Sequence, residues 1–520
     1  MSSNSKESAI VLVDGCRTPF QKPGTGYRNF RAHDLARFAI RGILDRTGVD
    51  PGDVDGVIMG SVIQDAETAN VAREAALGAG LAASVPAHTV SMSCLSSHQA
   101  ITGAAEQILS GQADVMIAGG VDSVSAHESR RPLKKQTTIP YLTEFSTGET
   151  MGAHADRLAS LFGITREIQD AYTVRSHQSA VRAQNEGLTG EEIVPVTGPP
   201  DFVPVSHDNE IRSDCTPETL SVHKPAFDSK FGTVTAAGSA NHADGAAAVL
   251  LMRESTAKKL GFSPKARLTS WVYTAHDPKN EMLLGQASAI PALLDKAKVA
   301  SEQIDVFELH EAFAAQVLAV LEALSVNYFS TGGSGTRNPA ASIPLKKLNA
   351  QGGSLALGHV FGATGARLVI SATQRLMQEQ GRYAMASSCA GGGLGHAILL
   401  ESVKPVNEKS TGSKAESGKK STAAGATTAT GTPTTTGATG TAGTAQKAAS
   451  TKKAASSRKA APSKKAASTK QTASAKKTAS EKKTATAEKA ASTKKAAPSQ
   501  KTGESKPASV RKSENKSKTQ

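Results

Sequence analysis

Ser91-Met92-Ser93-Cys94-Leu95-Ser96-Ser97-His98-Gln99-Ala100-Ile101 sets one cysteine among small and polar residues. Ile101, Ala104, Ala105, Ile108 and Leu109 then recur at helical spacing. Cys94 is therefore expected at or near the first turn of a helix with a buried apolar face. A helix N-terminus carries partial positive charge and unpaired N–H groups, and both favour a thiolate. A lone cysteine is as readily an inert core residue, so its company along the chain decides the reading.

Upstream, Val85 to Val90 leads into this stretch, Asn70 to Ala79 reads as an Ala-rich helix and Val57 to Val62 as a strand. Ala9 to Val13 is a short apolar run ended by Asp14-Gly15, and Asp34 to Leu44 has helical periodicity. Downstream, Asp114-Val115-Met116-Ile117-Ala118-Gly119-Gly120 is a strand followed by a glycine turn. Strands alternating with helices imply an α/β fold with a mostly parallel sheet covered on both faces. From about 124 to 235 the pattern turns polar around helical stretches such as Ile168 to Asn185, an excursion of the kind that holds substrates. Its basic cluster, Arg130-Arg131-Pro132-Leu133-Lys134-Lys135, is a solvated loop or a contact for a phosphorylated cofactor or membrane surface.

The second half echoes the first. Asp305 to Leu309 stands for Val57 to Val62, and Arg382 to Ser388 for Asp114 to Gly120. Gly353-Ser354-Leu355-Ala356-Leu357-Gly358-His359 precedes a helix from about Ala363 to Met377, as Val90 to Cys94 precedes its own. Residues 8–262 form one half, with the 124–235 loop domain inserted, and 263–402 the other. Such a duplication would set Cys94 and His359 across one cleft.

From Lys404 onward there are 26 Lys and Arg against 6 Glu, net +20, which leaves 34 basic and 40 acidic residues, net −6, before it. That tail (403–520) is Lys-Lys-Ala-Ala units with Ser, Thr and Pro; it has too little apolar surface to offset chain entropy and is expected to be disordered. It is either a tether or a carrier of nucleic acid or another polyanion. The four cysteines lack disulfide-framework or zinc spacing. No apolar run is long enough to span a bilayer, and Met1 to Ser8 has no signal-peptide core, so a cytoplasmic protein is expected.

Four positions form a constellation: Cys94, a nucleophile; His310, in His310-Glu311-Ala312-Phe313-Ala314 directly after a strand; His359, in Gly358-His359-Val360-Phe361-Gly362-Ala363-Thr364-Gly365; and Cys389, before Ala390-Gly391-Gly392-Gly393. Acyl transfer through a thiol needs a thiolate, a base to form it, a second acid/base and places to hold negative charge. The boxes Ser93-Cys94-Leu95-Ser96-Ser97, His310-Glu311-Ala312-Phe313, Gly358-His359 and Cys389-Ala390-Gly391, in this order, resemble the thiolase family over roughly residues 8 to 402. His310 opening its box, and Phe145-Ser146-Thr147-Gly148-Glu149-Thr150-Met151-Gly152 followed by Ala155-Asp156-Arg157, are most similar to thiolase (β) subunits of fatty-acid-oxidation trifunctional complexes.

The resemblance implies a thiolase fold and thiolytic cleavage of 3-ketoacyl-CoA through an acyl-Cys94 intermediate. His359 would take the Cys94 proton and Cys389 would protonate the leaving acetyl-CoA carbanion. One oxyanion hole would use His359 with His310, the other the N–H groups of Cys94 and Gly391. Met151, Phe313 and Ser239 would meet substrate or CoA. CoA is a substrate, and no metal or separate cofactor is implied. A homodimer or homotetramer, and a hydratase/dehydrogenase partner subunit, follow from the same likeness. Val360 stands where the family usually has Pro, and Ala237-Gly238-Ser239-Ala240-Asn241-His242 departs from the usual CoA-contact pattern. The short Arg131 to Phe145 segment reads as a soluble enzyme. Alternatives are a biosynthetic acetoacetyl-CoA thiolase, a decarboxylating Cys-His-His condensing enzyme, and a non-enzymatic polyanion binder acting through the tail.

Overall fold

Strands β1 (Ile10–Arg17), β2 (Gly56–Gly60), β3 (Ala87–Val90), β4 (Val115–Asp122) and β5 (Gly245–Arg253) come from the first half of the chain. The second half gives β6 (Ala266–Ala275), β7 (Ile304–Leu309), β8 (Tyr383–Ala390) and β9 (Leu394–Ser402). The computed structural model describes residues 9–403 apart from 66, 130–141, 200 and 332–338. In it these strands join in the order β3-β2-β4-β5-β1-β6-β9-β8-β7. Read inward from each flank, β2-β4-β5-β1 and β7-β8-β9-β6 are one series, so the duplication expected from the sequence is present in the sheet. The halves meet where β1 pairs with β6 through Ile10↔Leu268, Val11↔Arg267 and Leu12↔Ala266. β3 has only a trace of a counterpart, the parallel bridge Phe307↔Leu348.

Alternation along the strands sorts side chains to two faces. Val57, Met59, Val115, Ile117, Leu250 and Met252 pack under the Ala32–Thr47 and Val71–Gly78 helices. The intervening Ile58, Met116, Ala118, Val249 and Leu251 face the Ser96–Leu109 and Thr364–Gln378 helices. In the second half Val306, Ala384, Ala386, Ile398 and Leu400 join that same central cluster. Phe307, Met385, Ala397 and Leu399 point the other way, onto the Gly285–Ala297 and Ala314–Ser325 helices. The helices that follow Cys94 and His359 thus form the middle layer, each shielded by a sheet, with further helices outside.

Two expectations need correction. The sheet is mixed: β2 runs parallel to β3 and β4, and β7 to β8, while the pairings of β1 with β5 and β6, β4 with β5, β6 with β9 and β8 with β9 are antiparallel. Parallel pairs need a crossover and survive only on the flanks, where helices link the strands. β9 returns directly from β8 through Gly391-Gly392-Gly393, two of them in the left-handed region (φ 81° and 73° at Gly392 and Gly393). Nor does Asp14-Gly15 end the first strand, which shifts register between Leu12 and Asp14 and runs on to Arg17. Its charges tolerate burial because they are paired: Asp14 with Arg46 and Lys265, and Arg17 with Glu192 (3.0 Å) and Asp208 (2.8 Å).

The 124–235 excursion contributes the Met151–Leu161 and Arg166–Asn185 helices, and its Ala155, Leu158, Ala159, Ile164 and Tyr172 pack into the outer core of the second half. Among the described residues no helix is long and apolar enough to cross a membrane. The cluster Arg130 to Lys135, most of the Arg131 to Phe145 segment and the tail from Lys404 lie outside the described residues.

Candidate active site

Cys94 sits one residue before Leu95, the N-cap of the Ser96–Leu109 helix. The turn into it is tight: Ser93 holds φ 48°, a left-handed conformation costly for a side-chain-bearing residue. Ser96 fastens it, its hydroxyl donating to Ser93 O (2.6 Å) and accepting from Met92 N (2.8 Å). A Cβ on Gly60, the last residue of β2, would lie 2.5 Å from the Ser96 backbone, so only glycine lets the helix start this close to the strand.

His359 arrives from the second half on the equivalent pre-helix loop, its Nε2 3.1 Å from Cys94 Sγ. The tautomer follows from its other side. Thr364 Oγ1 lies 2.8 Å from Val360 O, which can only accept, so the hydroxyl donates there. Its lone pair must then receive Nδ1–H of His359, at 2.7 Å. That leaves Nε2 unprotonated and facing the thiol, as a general base requires. Val360 O also accepts Ala363 N (3.0 Å) and Thr364 N (2.8 Å), so hydrogen bonds fix this loop although Val360 stands where the family usually has Pro.

Burial, not the helix terminus, sets the charge state. It pushes the Cys94 thiol up to about 12, with the carboxylate of Asp122 adding slightly. Burial, then the neighbouring His310, His242 and Arg367, holds His359 well below the ordinary imidazole value. The resting pair is therefore neutral thiol and neutral imidazole. This corrects the expectation of a helix-stabilised thiolate: the desolvation of a charged sulfur outweighs a dipole worth about 1 kcal/mol.

His310 follows β7, its ring centroid 4.2 Å from that of His359. Its Nδ1 is 2.9 Å from Ser354 Oγ, which also accepts Arg367 Nη2 at 2.9 Å. With no other acceptor for the serine proton among the described residues, that proton goes to Nδ1, which places the His310 proton on Nε2, a buried nitrogen without a partner among the described residues. Burial, then the charges of Arg367 and His98, lower its pKa to about 3. His310 is thus a neutral donor, and one ligand atom each from Cys94, His310 and His359 lie within 4.8 Å of one another. The adjacent Glu311 turns away and braces the fold. It accepts Tyr172 Oη (2.9 Å) and Ser176 Oγ (2.8 Å) from the excursion, and Asn349 Nδ2 (2.6 Å) and Leu355 N (3.2 Å) from the loop before His359.

Cys389 lies near the end of β8, buried, its thiol pushed up by burial and then, once Cys94 is ionised, by the charge of that sulfur. Both sulfurs, both imidazoles, Gly391, Met151 and Phe313 line one cavity of about 330 Å³, with Leu142, Leu283 and Phe361 among its apolar walls. Ser239 does not line it; its hydroxyl is taken up by Thr235 O (2.7 Å). Sequence reasoning missed Thr364, Ser354 and Arg367, whose roles depend on what they touch, and Glu144, whose Oε2 accepts Gly392 N (2.8 Å) inside the cavity.

Comparison with known proteins agrees. Residues 10–255 match the thiolase N-terminal domain and 262–402 the thiolase C-terminal domain. The mitochondrial trifunctional enzyme subunit beta of Bos taurus is 46% identical over 420 residues, covering 75% of this chain and 88% of that protein. A probable 3-ketoacyl-CoA thiolase of Caenorhabditis elegans is 41% identical over 426 residues, 75% of this chain and 94% of that one. The crystal structure of human mitochondrial 3-ketoacyl-CoA thiolase superposes with a TM-score of 0.68 at 32% identity, over 76% of this chain and 99% of that one. With the duplicated sheet, the two facing pre-helix loops and these matches together, the chain belongs to the thiolase family.

Proposed function

We propose that this protein is a 3-ketoacyl-CoA thiolase of fatty-acid β-oxidation, transferring the shortened acyl group to CoA through Cys94. The observation that carries this is the 3.1 Å contact of His359 Nε2 with Cys94 Sγ in a cavity that also holds Cys389. His359 takes the thiol proton and the sulfur attacks the 3-keto carbon. The oxyanion gathers at His310 and His359, and the C2–C3 bond breaks. Cys389 gives its proton to the acetyl-CoA carbanion, and the Cys94 and Gly391 N–H groups stabilise the enolate. Free CoA then yields its thiol proton to Cys389 and attacks the acyl-Cys94 thioester. The departing Cys94 sulfur recovers its proton from His359, which restores the starting state. Met151 and Phe313 wall the acyl path. Every step uses groups of this chain, with CoA as a substrate.

The relatives' names support β-oxidation over biosynthesis: a trifunctional enzyme subunit and a 3-ketoacyl-CoA thiolase. A decarboxylating condensing enzyme has no need of the second thiol. Incubation of the full chain with 3-ketoacyl-CoA of graded length plus CoA tests the reading; no loss of ketoacyl-CoA with any of them sinks it. A hydratase/dehydrogenase partner and a homo-oligomer belong to the same proposal, checked by co-purification and by mass in solution. So does a cytoplasmic location; all four cysteines are free, as a reducing compartment keeps them, and recovery in a sealed organelle fraction would overturn it. The tail's net +20 supports a second role in binding polyanions. Equal retention on heparin by the full chain and by a variant ending at Ser402 would refute it.

A further inference from the structure

The last residue of β4, Asp122, is fully buried, and its carboxylate collects donors from two loops that are distant in sequence. One oxygen accepts Val62 N (3.0 Å), Ile63 N (2.9 Å) and Ser61 Oγ (3.0 Å), all from the loop after β2. The other accepts Gly362 N at 2.6 Å, three residues beyond His359 on the turn that carries it. The side chains of two of these donors, Val62 and Ile63, form a small apolar cluster with Val124 and Phe361, against which Cys94 packs. The approach is so close that a Cβ on Gly120 would stand 1.8 Å from Gly362 O, and one on Gly362 2.6 Å from Val121 O.

We propose that Asp122 is a positioning residue for the Cys94–His359 pair, its carboxylate clasping the His359 turn of the second half to the wall behind Cys94 in the first. The inference rests on the thiolase reading above. The donors it gathers are three N–H groups and a hydroxyl, so the charge is supported by the same geometry that it enforces. Burial still raises its carboxyl to about 6, a cost a merely space-filling residue would not carry. The duplication adds a second argument. β4 and β8 correspond residue for residue, which sets Asp122 opposite Ala390 and Val121 opposite Cys389. One strand end thus supplies a reacting thiol, and its equivalent supplies the anchor that holds the reacting imidazole of the other half.

The test uses the full chain carrying Asp122→Asn, and separately Ser61→Ala, which removes one donor and keeps the charge. Asp122→Asn keeps the shape but forces an amide N–H against backbone donors. Its kcat for thiolysis is expected to fall roughly 10- to 100-fold with KM within about threefold, because a small misplacement of base from nucleophile acts on the chemical step. Alkylation of Cys94 by iodoacetamide at fixed pH is expected to slow as well, since the thiol loses its aligned base. Ser61→Ala is expected to lose roughly threefold in kcat with an unchanged melting temperature, near the low end for one hydrogen bond. A folded Asp122→Asn protein with wild-type kcat and alkylation rate overturns the inference, as does a kcat loss that only tracks lost folded protein. If Asp122→Asn does not fold, Ser61→Ala with unchanged kcat and alkylation overturns it. Wild-type protein without thiolytic activity would sink the thiolase reading, and the alkylation rates would then decide this inference alone.

Discussion

The two halves run the same strand series from flank to centre, yet they carry different chemistry. The first half ends its pre-helix loop in Cys94, on a turn held at a left-handed Ser93, and covers its flank with a true third parallel strand. The second half reduces that strand to the single bridge Phe307↔Leu348 and gives the space to the Glu311-braced loop that leads to His359. It then buries Glu308 against Arg375 at 2.7 Å, with Arg367 at 3.5 Å, next to His310. At the position on β2 that corresponds to Glu308 the first half has the aliphatic Ile58, turned to the same middle layer. One copy of the fold was thus left to present a nucleophile, and the other took on buried polar groups that manage protons.

If that division is right, breaking the nucleophile's half should abolish chemistry outright. Cys94→Ala is expected to lower thiolytic kcat roughly 10⁴-fold or more while acyl-CoA still binds, because no other group can hold the acyl chain covalently. Equilibrium binding measured beside turnover separates the two effects, and appreciable residual turnover would reassign the nucleophile. Cys389→Ala strikes the proton-managing half and should cost roughly 10²- to 10⁴-fold, the usual range for a general acid/base. The comparison sharpens if Cys389→Ala still exchanges acyl groups onto Cys94 from a simple acyl-CoA donor, detected as a mass increase on the protein. Loss of that half-reaction would show that the two thiols do not divide the work.

Stability should divide the same way. Arg375→Ala leaves Glu308, which is fully buried and whose carboxyl burial already pushes up, with Arg367 as its remaining cation. A loss of about 3–5 kcal/mol is expected, as for other buried pairs broken from one side. Thermal unfolding measures it, and a change under about 1 kcal/mol would show that the second half tolerates its charge without this partner.

Much of this division was legible in the residues. Cys94 and His359 each precede a helix with an apolar face, and a duplicated pattern puts such loops opposite one another. Strand direction was not legible: β5 and β9 are as apolar as parallel strands, and only where their connections land makes them antiparallel. Nor was the thiol's charge state, since a helix N-terminus and a buried site push it in opposite directions and only the folded surroundings decide which is larger. Ser239 stood as a ligand contact through the family resemblance alone; in the fold its hydroxyl donates to the backbone at Thr235. Thr364 read as one small residue in a glycine turn, and nothing local says that its hydroxyl meets an imidazole.

The pH profile probes both halves at once. A base with a lowered pKa is active above that value, so His359 stays competent down through pH 6.5 and loses activity only below it. A thiol pushed up to about 12 does not ionise on its own in the working range, so it contributes no alkaline limb. Thiolysis kcat/KM is therefore expected to be flat from about pH 6.5 to 9, apart from titration of CoA itself. A fall centred near pH 8.5 in the direction of acid would mean that a preformed thiolate, and not the neutral pair, is the reacting state.

Among the substitutions that compare the two halves, the smallest expected effect is the most specific. Thr364→Val keeps the size and branching of the side chain but removes the hydroxyl that receives Nδ1–H of His359. The imidazole then has no acceptor to fix its tautomer, and part of the population turns a proton toward Cys94 Sγ where a lone pair is needed. One neutral hydrogen bond is worth about 1 kcal/mol and tenfold in rate is 1.4 kcal/mol, so kcat should fall roughly 5- to 10-fold. KM should hold, since Thr364 is walled off from the substrate cavity by His359 itself. The same substitution leaves Val360 O with its two backbone donors, so the loop stays folded and the loss is one of proton placement. Unchanged kcat in a correctly folded Thr364→Val protein would mean that the first half's thiol, rather than the second half's threonine, dictates which nitrogen carries the proton.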